Sequence, residues 1–204
     1  MYRSKNLAMI SINLKILCCC LIPSHVLGTN IVEPDFGSLN IRVGKILEVS
    51  CHPEHPELAL IRVDFATFAP TVILSNLYRY KIPLGHLRNK KTLFLLNIAS
   101  LQLYNISHTP GEFSNGMLLL AHDGESEDIL DVPPKAVQGD IVEVEGYSRY
   151  QQGTNLKLED FEKIADDLYI NSWNVATYKD KEFKIREEGC VTTKAVHDCP
   201  IIAV

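Results

Sequence analysis

Basic side chains gather in one part of the chain. Arg79 and Lys81 stand two residues apart before Pro83, and Arg88, Lys90 and Lys91 follow it. Lysine and arginine at this density suit phosphate oxygens, because each contact releases a condensed counterion and so tightens binding as salt falls. Four or five such contacts would give a slope of log K against log salt of about −3 to −4, at roughly 0.7 to 0.9 per phosphate. Residues 79 and 81 share a face only if the segment is a strand. The competing reading is that all five are solvated loop charges that keep an acidic chain soluble.

Other chemistry is thinly represented. Cys51, His52, Glu54 and His55 are close enough to suggest metal ligands, but Pro53 and Pro56 mark a loop and no second cluster of matching spacing follows. Ser75, Ser100, Ser107 and Ser114 lack a nucleophile-elbow setting, and no glycine-rich phosphate loop precedes a helix. These observations predict no enzyme, no metal, no cofactor and no small-molecule substrate. The six cysteines form neither a zinc ribbon nor a regular disulfide framework. Reduced thiols are expected in the body of the chain, with Cys190 and Cys199 the only pair near enough in sequence to suggest a bridge.

Charge narrows the choice of partner. Lys and Arg total 20 against 25 Asp and Glu, and Arg3, Lys5 and Lys15 are the only charged residues of the first thirty, so the rest of the chain carries a net −8. Nucleic-acid binding on such a body needs a local patch rather than bulk charge. Residues 1–30 read either as a targeting leader or as an unstructured segment: basic residues come first, then an apolar run from Leu7 to Pro23, then Val26-Leu27-Gly28 as a candidate cleavage site. Asn13 and Lys15 interrupt the run, and Cys18, Cys19 and Cys20 could be acylated if this end meets a membrane. The triplet Asn105-Ile106-Ser107 is a glycosylation sequon, relevant only to a secreted chain.

The elements that must position the basic residues are short strands. With 46% hydrophobic and 22% charged residues a packed core is expected. Ile41, Val43, Ile46 and Val49, then Leu60, Ile61, Val63 and Phe65, make two β-rich runs joined by a proline- and glutamate-rich loop, with Gly44 marking a bulge or bend in the first. Strands are also predicted at Thr71–Leu77, Thr92–Ile98, Gly116–Ala121 and Ile141–Val144, with a short helical turn opened by Pro83. Five or more such strands with turn-rich spacers suggest a small barrel. After Gly153 the spacing of Leu156, Leu158, Phe161, Ile164, Ala165 and Leu168 predicts an amphipathic helix capped by Thr154 or Asn155. Three brief strands are expected after it, at Asn174–Tyr178, Glu182–Arg186 and Cys190–Lys194.

The order of these segments resembles a known family. RVGKILEV with His52-Pro53, the return strand, TVILSNL, Ile82-Pro83, LRNKK, LLN at 95–97, SNGMLLLA, PPKAVQGD and VEVEGY are similar, in sequence order, to the tRNA-binding domain. That domain is the OB-fold found alone in small bacterial proteins and fused to methionyl- and tyrosyl-tRNA synthetases. FEKIADDL, NVATYKDKEFKI and Gly189-Cys190 resemble the C-terminal extension of the eukaryotic branch, which includes the endothelial monocyte-activating polypeptide and the yeast synthetase cofactor. The resemblance implies a mainly β protein: a five-stranded OB barrel over 38–148 with an α+β extension, 153–204, packed on it where bacterial dimers place a second subunit. A monomer is therefore expected.

The resemblance also implies where tRNA would bind. Asn97, Ser114 and Met117 match the family's binding asparagine, serine and methionine. The loop between them departs from the pattern, with Ala99, Gln102 and Tyr104 where the family has two lysines and an arginine, and with an insertion around His108–Phe113. Tyr104 could instead stack a base or cover the barrel. Met117 reads first of all as a core residue, and Asn97 reads equally as a side chain that bonds backbone. The expected function is non-catalytic tRNA binding that assists an aminoacyl-tRNA synthetase in the cytoplasm. The alternatives are a degenerate OB domain that binds protein, and a secreted cytokine-like protein.

Overall fold

The computed structural model describes residues 33–80, 82–98, 114–153, 155–187 and 189–204. Residues 1–32, Lys81, Thr154, Glu188 and the stretch 99–113, with Tyr104, the inserted residues and the sequon, lie outside the described residues. Glu33–Val204 is one unit, mainly β, with one α-helix among the described residues.

Its sheet turns about β1 (Ile41–Cys51), which serves two neighbours in succession. The first half of β1 pairs with β4 (Lys91–Leu95), from Ile41 opposite Leu95 to Lys45 opposite Lys91. From Lys45 onward β1 pairs with β2 (Ala59–Asp64), ending with Cys51 opposite Ala59. At the handover the register slips between Ile46 and Glu48. The bulge expected at Gly44 therefore falls just beyond it, while Gly44 itself stays in register with Thr92. Glycine is needed there for close approach: a Cβ would lie under 3.0 Å from the side chains of Val63, Phe65 and Phe94.

The remaining strands are β3 (Thr71–Ser75), β5 (Met117–His122), β6 (Glu127–Ile129), β7 (Val142–Val144), β8 (Leu168–Ile170), β9 (Ala176–Tyr178), β10 (Lys181–Ile185) and β11 (Cys199–Ala203). They run in the order β3-β2-β1-β4-β5-β11-β8-β9-β10-β7, with β6 also on β5. An antiparallel bridge from Arg42 to Ile141, supported by Val43 N–H to Asp140 O at 2.9 Å, brings the run before β7 back against β1. In β4 and β5 the side chains alternate between two cores. Phe94, Leu118 and Leu120 pack with Ile46, Ile61, Val63 and Ile73. Leu93, Leu95 and Leu119 face a larger cluster with Phe161, Ile164, Tyr178, Phe183 and Ile201. Burial on both faces explains why TLFLL and MLLLA are continuous apolar runs instead of alternating ones.

Several expected elements differ. The strand predicted over Thr71–Leu77 stops at Ser75, and Leu77–Arg79 is a 3-10 turn, so Arg79 does not lie on a strand face. A second 3-10 turn, Leu84–His86, follows Pro83 as expected. The helix α1 is only Leu158–Ala165, with Lys157 at its N-cap and no side-chain cap, so Asn155 does not cap it. Leu168 fits the helical spacing yet opens β8, because the chain turns at Asp166 and pairs with β9 and β11. Cys190–Lys194 contributes isolated bridges from Cys190 to Lys184 and from Thr192 to Val175 and Asp131, not a strand. β6 and β11 had no counterpart in the sequence-based expectation.

Candidate nucleic-acid interface

β4 and β5 bring three of the expected site residues to one end of the sheet, where Leu95 pairs with Met117. Asn97 is only 4% exposed. Its Oδ1 accepts the Asn40 N–H at 2.8 Å and its Nδ2 donates to Ser38 O at 2.8 Å, so the amide fixes the segment entering β1. Of its two readings, the backbone-bonding one is seen directly. Ser114 is also buried and reaches β3: its Oγ accepts the Leu74 N–H at 3.1 Å and lies 2.6 Å from Gly116 O and 3.3 Å from Leu74 O, either of which can accept its proton. Asn115 Nδ2 donates to Val72 O at 3.1 Å. β3 ends the sheet order, and these two side chains occupy backbone groups that an edge strand would otherwise expose. Met117 is half-buried at the start of β5.

The basic residues separate into two groups. Arg79 and Arg88 are exposed. Arg79 lines a depression with Tyr80, His122, Gly124, Glu125 and Glu127, where the His122 Nδ1 is 3.5 Å from Glu127 Oε1. Lys90 and Lys91 stand at the end of β4 away from Asn97. Lys90 Nζ is 3.2 Å from Asp131 Oδ1. Lys91 Nζ donates to Pro134 O at 3.2 Å and Ala136 O at 2.5 Å. Lys194 also reaches Asp131, at 3.1 Å on Oδ2. Sequence reasoning missed Lys194 and Asp131, which become neighbours through the bridge between Asp131 and Thr192 and the bond from the Lys194 backbone N–H to Asp128 Oδ2.

The cysteine and histidine cluster has local structural roles. His52 Nδ1 accepts the backbone N–H of Glu54 at 3.2 Å and of His55 at 3.0 Å, closing the loop between β1 and β2. Tyr78 donates its hydroxyl to Cys51 Sγ at 3.0 Å, and that bond, with burial second, pushes the phenol pKa up. The bridge suggested between Cys190 and Cys199 is not formed, and both are free. Cys190 donates to Glu182 Oε2 at 3.2 Å while Cys199 is buried in β11, and burial is the main cause that pushes both thiols up. Among the described residues no helix is long and apolar enough to cross a membrane.

Comparison with known proteins supplies a family. Residues 41–141 match the model described as "Putative tRNA binding domain". The aminoacyl tRNA synthase complex-interacting multifunctional protein 1 of Cricetulus griseus is 29% identical over 76% of this chain and 42% of its own length. The cytoplasmic tyrosine–tRNA ligase of Xenopus laevis is 32% identical over 83% of this chain and 31% of its own. The chain thus spans less than half the length of these relatives. In structure, the C-terminal domain of Plasmodium vivax p43 superposes with a TM-score of 0.71 at 25% identity, covering 83% of this chain and 99% of that domain.

Proposed function

Residues 41–141 belong to the tRNA-binding-domain family, and from that premise we propose that the chain is a non-catalytic tRNA-binding protein that assists aminoacylation beside a synthetase. The observation that carries this reading is the family match over residues 41–141, a span that includes Asn97, Ser114 and Met117. The relatives named for synthetases and for a synthetase complex support the partner. Within this reading β1 to β5 form a five-stranded OB barrel over 38–148, and 153–204 is the α+β extension that keeps the protein a monomer. A cytoplasmic location fits the same partners.

In this reading the RNA surface comprises the exposed Arg79 and Arg88 and the half-buried Met117, with Lys81 and Tyr104, outside the described residues, as further candidates. Asn97 and Ser114 act beneath that surface, by holding the strand ends that frame the loop. Phosphate contacts from this set would be sequence-independent, as expected of a protein that grips tRNA by shape.

One observation favours a second reading, a protein-interaction module. The chain outside the first thirty residues is net −8, and Lys90, Lys194 and Arg62 already pair with carboxylates. Replacing Arg79 and Arg88 together by alanine separates the two, because both are exposed and neither replacement opens a core. At 0.1 M salt each lost phosphate contact is worth about sixfold, so tRNA affinity should fall about 36-fold while the protein stays folded. Undiminished tRNA affinity in the double variant would remove these arginines from the site, and loss of synthetase pull-down with no tRNA binding in either protein would favour the second reading.

A further inference from the structure

We propose that Lys90, Lys91 and Lys194, gathered on the segment from Asp131 to Ala136, form a second phosphate-binding surface for the RNA backbone, built jointly by β4 and the C-terminal part of the chain. The inference rests on the tRNA-binding reading and adds to it a contact region at the end of β4 away from Asn97. Asp131 offers one oxygen to Lys90 at 3.2 Å and the other to Lys194 at 3.1 Å, so one carboxylate serves two ammonium groups. Lys91 adds a third, held by the uncharged carbonyl oxygens of Pro134 and Ala136. Across the ladder Lys45 stands opposite Lys91, with Asp64 on its other side.

Lys45, Lys90, Lys91 and Lys194 outnumber the nearby carboxylates of Asp64, Asp131 and Asp128, whose Oδ2 accepts the Lys194 backbone N–H at 2.6 Å, and a bound polyanion relieves the remaining Coulomb repulsion. Solubility gives no reason for it in a chain whose body is already net −8. Each ammonium has three protons to donate. Lys90 and Lys194 each spend one on Asp131, and Lys91 spends two on carbonyls, so all three keep a donor for phosphate oxygen. Lys90 and Lys194 approach opposite oxygens of one carboxylate, which spreads their charges instead of converging them on a point. That arrangement suits successive phosphates along a strand better than a single phosphate ion. Lys194 is 73% exposed and Asp131 22%, so the surface is open to a partner. Asp131 sets the spacing of the lysines and competes with the phosphates for them.

The test uses the full chain, fluorescence-labelled unfractionated tRNA and a series of salt concentrations, with K194A, K194R and D131N beside the wild type. K194A should bind about sixfold more weakly at 0.1 M salt, with a salt slope shallower by about 0.8, the share of one phosphate. K194R should keep most of the affinity, and D131N, which frees two lysines, should bind more tightly. Thermal melts check that each variant is folded, and the exposure of Lys194 makes its replacement mild. If the wild type binds and K194A matches it in affinity and slope, the second surface is wrong while the tRNA-binding reading stands. If the folded wild type does not bind tRNA at all, the reading fails and the second surface fails with it.

Discussion

Replacing Gly44 by alanine is expected to remove about 3 kcal/mol of stability, at the upper end of what overpacking usually costs. The new methyl group would enter a space bounded on one side by Val63 and Phe65 of the β2 region and on the other by Phe94 of β4. Phe65 and Phe94 meet edge to face, with centroids 5.4 Å apart and planes at 87°, so neither ring can retreat without losing the other. Gly44 also lies next to Lys45, where β1 passes from β4 to β2, so displacing it disturbs both ladders. A loss of this size is a large fraction of the 5–15 kcal/mol typical of a domain. Urea denaturation measures it, with Gly85→Ala as the control, since nothing lies within 4 Å of a Cβ there. A Gly44→Ala midpoint equal to that of the control would mean that the strand crossing is looser than described.

Replacing Asn97 by alanine is the second large effect, and it should appear without RNA. The change leaves the Asn40 N–H and the Ser38 carbonyl with no partner from position 97. Both bonds are half-buried, where an orphaned group costs toward the lower end of about 1–3 kcal/mol, so a loss of about 2 kcal/mol is expected. The damage should centre on the entry to β1, and faster amide exchange at Asn40 and Ile41 would locate it. If the variant melts like the wild type and only tRNA affinity falls, Asn97 is a direct RNA contact and its backbone bonds are dispensable.

These two residues show how far the sequence could be read. Gly44 announced a special place in β1, because a glycine within a β-rich run has few explanations, yet whether it supplied a bulge or room for neighbouring rings depended on Phe65 and Phe94, which are distant in sequence. Asn97 and Ser114 were legible as positions through the family pattern. Their burial was not, since a polar residue between a strand and a loop looks the same whether it meets solvent or a backbone carbonyl. Strands with strong local patterns, such as β1, β2 and β4, were visible in outline. β8 was hidden by Leu168, which extends the spacing of Phe161, Ile164 and Ala165 although the helix has ended. β11 carries Pro200 and owes its existence to β5 and β8, partners far away in the chain. The pairing of Lys194 with Asp131 has the same origin. Local propensity does not encode contacts between distant segments, and the candidate site beyond Asn97 to Met117 depends on them.

The most direct test of the central claim is a titration of the folded chain into labelled unfractionated tRNA at 50 mM and at 200 mM salt. Saturable binding at the lower salt is predicted, weakened about 60- to 250-fold at the higher salt if three to four units of salt slope are present. Absence of saturable binding at 50 mM salt, from protein shown to be folded, would contradict the account.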